Sequence, residues 1–266
     1  MNRSKGLGIV ASVLAGAIVW GGGALVTDVL AARTDLSNVP VAGTGQAVPK
    51  PNVMLLMDTS RSMAFTHMPD ELEFPGGNAS YEMPIGYRSA QCNALYYDPS
   101  KVYEVPRGAD GYYLVNPPST VNFNAARYDF YSSGTVNVDL ATSFRAYDRN
   151  TRQLQITNDA EDRAQPAYYY VYEGTQTLRY DAAPCTDMES VRFAGVDLGG
   201  SNVTANTTGG LWRRKLVSSS SGTGAAGVDE RRNFATWYTF YRTRMAMVKS
   251  SISLAFNPIN DGFRVG

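Results

Sequence analysis

The sequence predicts an α/β fold in which a large β-rich insertion separates the first strand from the first helix. Residues 53–57 form an apolar run without period-two alternation, which is typical of a strand buried on both faces of a parallel sheet. Apolar residues then recur mostly at steps of three and four between Phe234 and Phe256, as along one face of a helix. The long stretch between them is rich in Tyr and in turn residues and lacks a helical period, which favours β structure.

The first folded segment spans residues 51–65 and contains this strand and the loop that follows it. The β-rich insertion spans residues 66–229. Its predicted strands are residues 111–115, 135–140, 153–156 and 168–172, each bounded by turn residues. Residues 218–227 are rich in Ser, Gly and Ala, which predicts a flexible linker to the helix.

The C-terminal segment, residues 230–266, is predicted to hold one helix and the start of a second strand. The polar face of the helix carries Arg242, Arg244, Lys249 and Ser253. Asn257 and Pro258 end the helix, and residues 263–265 follow a turn as the second strand. A buried strand and one helix leave backbone groups and apolar faces uncovered. We therefore expect a fragment of a longer polypeptide, or a truncated product whose insertion folds alone.

The N-terminus has the pattern of an export signal. A short basic stretch precedes an apolar run at residues 7–26, and small residues at 29–32 suit cleavage after about Ala31. The prediction is a signal peptide at residues 1–31, followed by a linker at residues 32–50. A retained membrane anchor is the competing interpretation, because the run approaches the length of a membrane span. Either way, we expect membrane contact only through this segment.

The charge composition gives no electrostatic indication of a partner. The chain has 24 basic and 24 acidic residues, and its formal net charge is zero. A basic surface field, which would attract nucleic acid or an anionic membrane, is therefore not expected.

The chain has two cysteines, Cys92 and Cys185. In an oxidising compartment an even pair favours a disulfide, and two buried thiols are the alternative. Zinc is disfavoured because His67 is the one histidine and no C-x-x-C spacing occurs.

The loop after the first predicted strand carries a D-x-S-x-S pattern, with Asp58, Ser60 and Ser62 as its oxygen-bearing residues. In an open α/β sheet, ligands bind beyond the carboxyl ends of the strands. One carboxylate and two hydroxyls from a single loop form a hard oxygen site suited to Mg²⁺, Ca²⁺ or Mn²⁺. Because serine hydroxyls are neutral, such a cation keeps Lewis acidity for a carboxylate on an incoming partner. This chemistry favours adhesion over hydrolysis.

Other interpretations of the same loop remain open. Asp58 or Ser60 alone would serve as the N-cap of a helix. A hydrophobic run before Asp-Thr-Ser also occurs in pepsin-like proteases, although one copy would require a symmetric dimer to supply the second aspartate. No catalytic constellation can be built around one histidine, and no phosphate-binding Gly-rich motif is present. The sequence therefore predicts that the chain is not an enzyme.

Residues 58–63, following a predicted strand, resemble the metal-ion-dependent adhesion site of von Willebrand factor A domains. Residues 243–249 and 263–266 are similar to the first helix and second strand of that fold. The resemblance implies a partial, Rossmann-type domain that is truncated after its first helix and interrupted by the insertion. It also implies that Ser60 and Ser62 bind the cation directly and Asp58 through water. Arg61 stands where the family usually has Gly, and the family's further Thr and Asp ligands lie on later loops than this chain carries.

Residues 91–99 and 233–245 resemble segments of the PilY family, the type IV pilus biogenesis and tip-associated adhesins. The resemblance implies an exported protein of the periplasm, the outer membrane, the cell surface or the pilus tip. It implies action in pilus extension and attachment, with pilin or minor pilins and a host or abiotic surface as partners. A truncated domain that binds no metal is the alternative.

Overall fold

A computed structural model of the chain describes residues 49–72, 84–146, 164–188, 203–207, 210–217, 228–259 and 263–265. The predicted export signal, most of the linker at 32–50, the predicted strand at 153–156 and the segment 218–227 lie outside these residues. Within the described ranges, no helix has the length and apolar character needed to cross a membrane.

The two ends of the folded chain meet in a short parallel pair of strands. Strand β1 (Asn52–Val53) pairs with β7 (Arg264–Val265), so that Asn52 lies opposite Arg264 and Val53 opposite Val265. The expected burial of residues 53–57 is wrong beyond Val53, because Met54 is 81% exposed and Leu56 is 90% exposed. A pair of two-residue strands offers no second layer to cover these side chains.

A three-stranded antiparallel sheet forms the most regular part of the insertion. Its strands are β4 (Tyr168–Tyr172), β5 (Val203–Thr207) and β6 (Gly210–Leu216), in the order β4-β6-β5. The predicted bounds of β4 are confirmed. The β5–β6 hairpin was not predicted, since Thr, Asn, Arg and Lys interrupt the apolar alternation on which strand prediction depends.

Outside this sheet, the described residues of the insertion lie mainly in turns and irregular segments. The strand expected at residues 135–140 is reduced to β3 (Asn137–Val138), which pairs antiparallel with β2 (Ala126–Arg127). The strand expected at 111–115 is reduced to an isolated bridge between Arg107 and Tyr113. Five short 3₁₀ helices are found in the described residues: Arg61–Ala64, Asp70–Leu72, Ile85–Arg88, Pro118–Thr120 and Phe123–Ala125.

The single C-terminal helix predicted from the apolar period is two helices, α1 (Glu230–Phe240) and α2 (Arg244–Phe256). The break is stabilised locally. Thr243 is the N-cap of α2, and its side chain accepts a hydrogen bond of 3.1 Å from the Ala246 amide. The Ser250 hydroxyl donates to the Phe240 carbonyl at 2.6 Å, which satisfies the end of α1. The apolar period continues across the break, which is why it indicated one helix.

Helix α1 and the insertion share one aromatic core. Trp237 packs at 5.1 Å from the Tyr96 ring, and its indole nitrogen donates to the Leu95 carbonyl at 2.8 Å. Tyr97 lies 4.8 Å from Phe234. The tyrosines of β4 are also buried, with Tyr168 and Tyr170 each 1% exposed, so these tyrosines pack the core and do not form a binding face.

The predicted disulfide between Cys92 and Cys185 is present, with their Cα atoms 5.9 Å apart. It joins two loops that are separated by 93 positions in the sequence. Gly86 lies against the bridge, and a Cβ atom at this position would be 2.5 Å from the Cys185 carbonyl oxygen. Only glycine therefore fits at this position without a backbone shift.

Candidate functional site

The three residues of the predicted metal loop lie together. The Ser60 amide donates to Asp58 Oδ1 at 2.7 Å, and the Ser60 hydroxyl donates to Asp58 Oδ2 at 2.8 Å. The Ser60 and Ser62 hydroxyl oxygens are 2.9 Å apart. Asp58 and Ser60 are exposed and Ser62 is half-buried, so the oxygen cluster is accessible from solvent.

Helix capping does not account for the hydroxyl of Ser60. Ser60 occupies the N-cap position of the 3₁₀ helix Arg61–Ala64, but its side chain makes no capping hydrogen bond. The turn is instead closed by backbone bonds of 3.0 Å, from the Met63 amide to the Ser60 carbonyl and from the Phe65 amide to the Ser62 carbonyl. The hydroxyl is therefore directed to the neighbouring oxygens of the loop.

The hydrogen bonds from Ser60 set the ionisation of Asp58. The backbone amide and then the hydroxyl of Ser60 stabilise the carboxylate and hold the pKa of Asp58 below its usual value. Asp58 is therefore ionised at neutral pH. An aspartic protease needs a pair of carboxyls that share a proton, which raises the pKa of one of them. The direction of the shift at Asp58 does not favour that interpretation.

The segment that follows the loop is fixed from two sides. On one side, the Arg244 guanidinium donates to the His67 carbonyl at 2.9 and 2.7 Å and also binds the Asp70 carboxylate. On the other side, Asn93 accepts a bond of 3.0 Å from the Met68 amide. The His67 side chain is buried, 5.3 Å from the Phe65 ring and 5.4 Å from the Tyr87 ring. It is a packing residue and does not join the oxygen cluster.

A cation at this loop would have few charged ligands. In the described parts of the chain, no group of three His, Cys, Asp or Glu side chains is placed to hold a metal ion. A site here depends on one carboxylate and two hydroxyls, whose oxygens are 2.8 and 2.9 Å apart. Adjacent ligands in an octahedral Mg²⁺ site are about 2.9 Å apart, and neighbouring ligands in a seven-coordinate Ca²⁺ site are about 2.8 Å apart. The spacing is therefore short enough for these oxygens to share one divalent cation of either size.

A cleft of about 450 Å³ opens beside the loop. Its walls come from residues 59–61, from the segment around Tyr128–Tyr131 and from helices α1 and α2. The cleft was not predicted from the sequence because these segments are far apart in the chain. Arg242 was predicted to lie on the polar face of the helix, whereas it is buried: it is 6% exposed, and its guanidinium lies 4.2 Å from the Tyr128 ring and 4.3 Å from the Tyr238 ring.

The hydrogen bonds of the loop lead to a test by titration. Replacing Ser60 with Ala removes the hydroxyl bond and leaves the backbone bond, so the pKa of Asp58 rises toward its usual value while staying below it. Carbon-13 NMR titration of the Asp58 carboxyl measures the change. Ser62→Ala is the matched control and leaves the pKa of Asp58 nearly unchanged. If the pKa of Asp58 is the same in Ser60→Ala as in the wild type, the hydrogen bond described between the Ser60 hydroxyl and Asp58 is contradicted.

Comparison with curated proteins finds three relatives, each the type IV pilus biogenesis factor PilY1 of Pseudomonas aeruginosa. The chain is 27% identical to the protein of strain PAO1 over 219 residues. It is 28% identical to that of strain PAK over 225 residues and 27% identical to that of strain UCBPP-PA14 over 218 residues. Each match covers 81% of this chain and 15% of the relative.

These relatives support the resemblance to the PilY family that was noted in the sequence. No family model matches the chain. No solved structure matches it either. The chain spans about 15% of the length of the curated relatives it matches, so the similarity concerns one part of those proteins.

Proposed function

We propose that this chain acts in type IV pilus biogenesis, on the premise of its similarity to PilY1. The observation that carries the proposal is the match over 81% of the chain to proteins described as type IV pilus biogenesis factors. Two segments that resemble the family also contact each other in the core. Asn233 donates to the Tyr97 hydroxyl at 3.2 Å, and Trp237 donates to the Leu95 carbonyl at 2.8 Å. Both contacts join residues 91–99 to helix α1.

In this proposal the chain is exported and works in the periplasm, at the outer membrane or cell surface, or at the pilus tip. Its partners are pilin or minor pilins, together with a host or abiotic surface. The Cys92–Cys185 disulfide supports export, since structural disulfides persist in oxidising compartments. The role is assembly and attachment, without catalysis.

Within this function, the loop that carries Asp58 would bind a divalent cation. Asp58, Ser60 and Ser62 would hold Mg²⁺, Mn²⁺ or Ca²⁺, with the two hydroxyls as direct ligands and Asp58 acting through water. A bound cation would supply a Lewis acid for a carboxylate of the partner. Asp58 provides the one negative charge of the set, and the hydroxyls of Ser60 and Ser62 add neutral oxygens.

The fold proposed around the loop is a partial von Willebrand factor A-like domain. Three features support it: β1 and β7 are parallel, the oxygen cluster follows β1, and helix α2 precedes β7. Residues 230–266 were all predicted to belong to this domain, with one helix, so a separate α1 was not expected within this framework. Because its aromatic side chains pack with Tyr96 and Tyr97, we assign α1 to the core of the insertion.

Cation binding is tested by calorimetric titration of Mg²⁺, Mn²⁺ and Ca²⁺ into the purified chain. We expect saturable binding, and we expect that binding to be lost in Asp58→Ala. Replacing Arg61 with Gly removes a cation next to the site and tightens binding about fivefold.

The chain provides a matched control for this titration. Asp98 and Ser100 form the same kind of turn, with the Ser100 amide 2.9 Å and its hydroxyl 2.6 Å from Asp98 Oδ1. Asp98 also pairs with Lys101 at 3.2 Å. Asp98→Ala therefore leaves cation binding unchanged. Equal binding by wild type and Asp58→Ala contradicts the assignment of the loop.

The pilus function is tested by deletion of the gene that encodes this chain, followed by electron microscopy of surface pili. We expect few or no pili in the deletion strain, and their recovery when the wild-type gene is restored. The matched control is the deletion strain that carries the gene with Asp98→Ala, and it recovers as many pili as the strain with the wild-type gene. Normal piliation and normal surface attachment in the deletion strain would overturn the proposed function.

A further inference from the structure

The cleft beside the Asp58 loop carries an excess of positive charge. Its charged lining residues are Arg61, Asp129, Arg242 and Lys249. Among the residues that the structure describes, no ion pair involves Arg61 or Lys249. Among the lining residues that the structure describes, Asp129 is the one carboxylate, against three cations.

Aromatic contacts hold two of these cations, Arg242 and Lys249, at the cleft. The Arg242 guanidinium lies 4.2 Å from the Tyr128 ring and 4.3 Å from the Tyr238 ring, and it donates to the Tyr128 carbonyl at 2.9 Å. The Lys249 ammonium lies 5.2 Å from the Tyr131 ring. The Tyr131 hydroxyl is itself fixed by a bond of 2.8 Å with Ser250. A ring attracts a cation through its quadrupole and carries no net charge, so the Tyr131 ring leaves the positive charge of Lys249 in place.

The carboxylate of the described lining, Asp129, is hydrogen-bonded within its own turn. Asp129 Oδ1 accepts a hydrogen bond of 2.9 Å from the Tyr131 amide. Apolar groups complete the lining, including Met63 and Met245, whose flexible side chains adapt to different partners. The cleft therefore offers positive charge and adaptable apolar surface together.

We propose that this cleft binds an acidic peptide segment. Its carboxylates would pair with Lys249 and Arg61, and its apolar side chains would pack on Met63 and Met245. The volume of about 450 Å³ suits a few peptide residues. The combination of cations with methionines favours a peptide over an acidic sugar, which has little apolar surface to bury. This inference goes beyond the proposed function: the peptide would pair with Lys249 and Arg61 and needs no bound cation, although Ser60 of the Asp58 loop also lies in the lining.

The test uses fluorescence anisotropy of a labelled, capped peptide of sequence Leu-Glu-Ala-Glu-Leu with the purified chain in EDTA. We expect saturable binding that weakens as salt is added, because the pairing is electrostatic. Lys249→Glu and Arg61→Glu each weaken it about tenfold, and Lys249→Gln weakens it less. Lys101→Glu makes the same charge change at an exposed position outside the cleft and leaves binding unchanged.

Three other results would each contradict one part of this inference. The folding of the Lys249→Glu and Lys249→Gln variants is checked by circular dichroism. If the folded variants bind the peptide as tightly as the wild type does, the cleft is not the binding site. Equal binding of a Gln-substituted peptide removes the role of charge. Binding of an acidic oligogalacturonate in place of the peptide overturns the peptide assignment. The Asp58→Ala variant keeps peptide binding even if it loses Mg²⁺, so failure of this inference is distinguishable from failure of the metal proposal.

Discussion

The candidate site depends on how residues 65–68 are held between α2 and the insertion. The Arg244 amide donates to the Phe65 carbonyl at 3.0 Å, and its side chain binds the His67 carbonyl. On the insertion side, the buried amide of Asn93 donates to the Thr66 carbonyl at 3.1 Å and accepts from the Met68 amide. A buried backbone group left without a partner costs about 1–3 kcal/mol, so these bonds strongly favour one position of the segment. The oxygen cluster of the loop directly precedes it.

The same insertion loop that supplies Asn93 also organises the core. Cys92 forms the disulfide, and Tyr97 packs on Phe234. The Leu95 carbonyl accepts a hydrogen bond from the indole nitrogen of Trp237. Burial among these aromatic groups raises the pKa of the Tyr97 hydroxyl above its usual value, so it stays neutral as a partner for Asn233. The segments that resemble the PilY family are thus a pair of contacting surfaces.

Local chemistry could be predicted from the sequence, whereas most contacts between distant segments could not. The bounds of β4 and the convergence of Asp58, Ser60 and Ser62 depend on short-range patterns and were predicted. The disulfide joins distant segments and was predicted because the chain has two cysteines, which can form one intramolecular pair. The helix break at Thr243 was missed because one apolar period serves both helices. The cleft was missed because the surroundings of Arg242 come from residues more than a hundred positions away, such as Tyr128. Exposure of Met54 and Leu56 reflects a strand pair too small to cover them.

The most direct test of this account is amide hydrogen exchange at Met63 and Phe65, whose bonds close the turn under the oxygen cluster. Replacing Arg244 with Gln is expected to speed their exchange about tenfold, while the Tyr241 amide at the end of α1 keeps its rate. Arg179→Gln, which breaks an exposed pair with Asp181, is the matched control and changes neither rate. Unchanged exchange at Met63 and Phe65 in Arg244→Gln would contradict the claim that this contact positions the site.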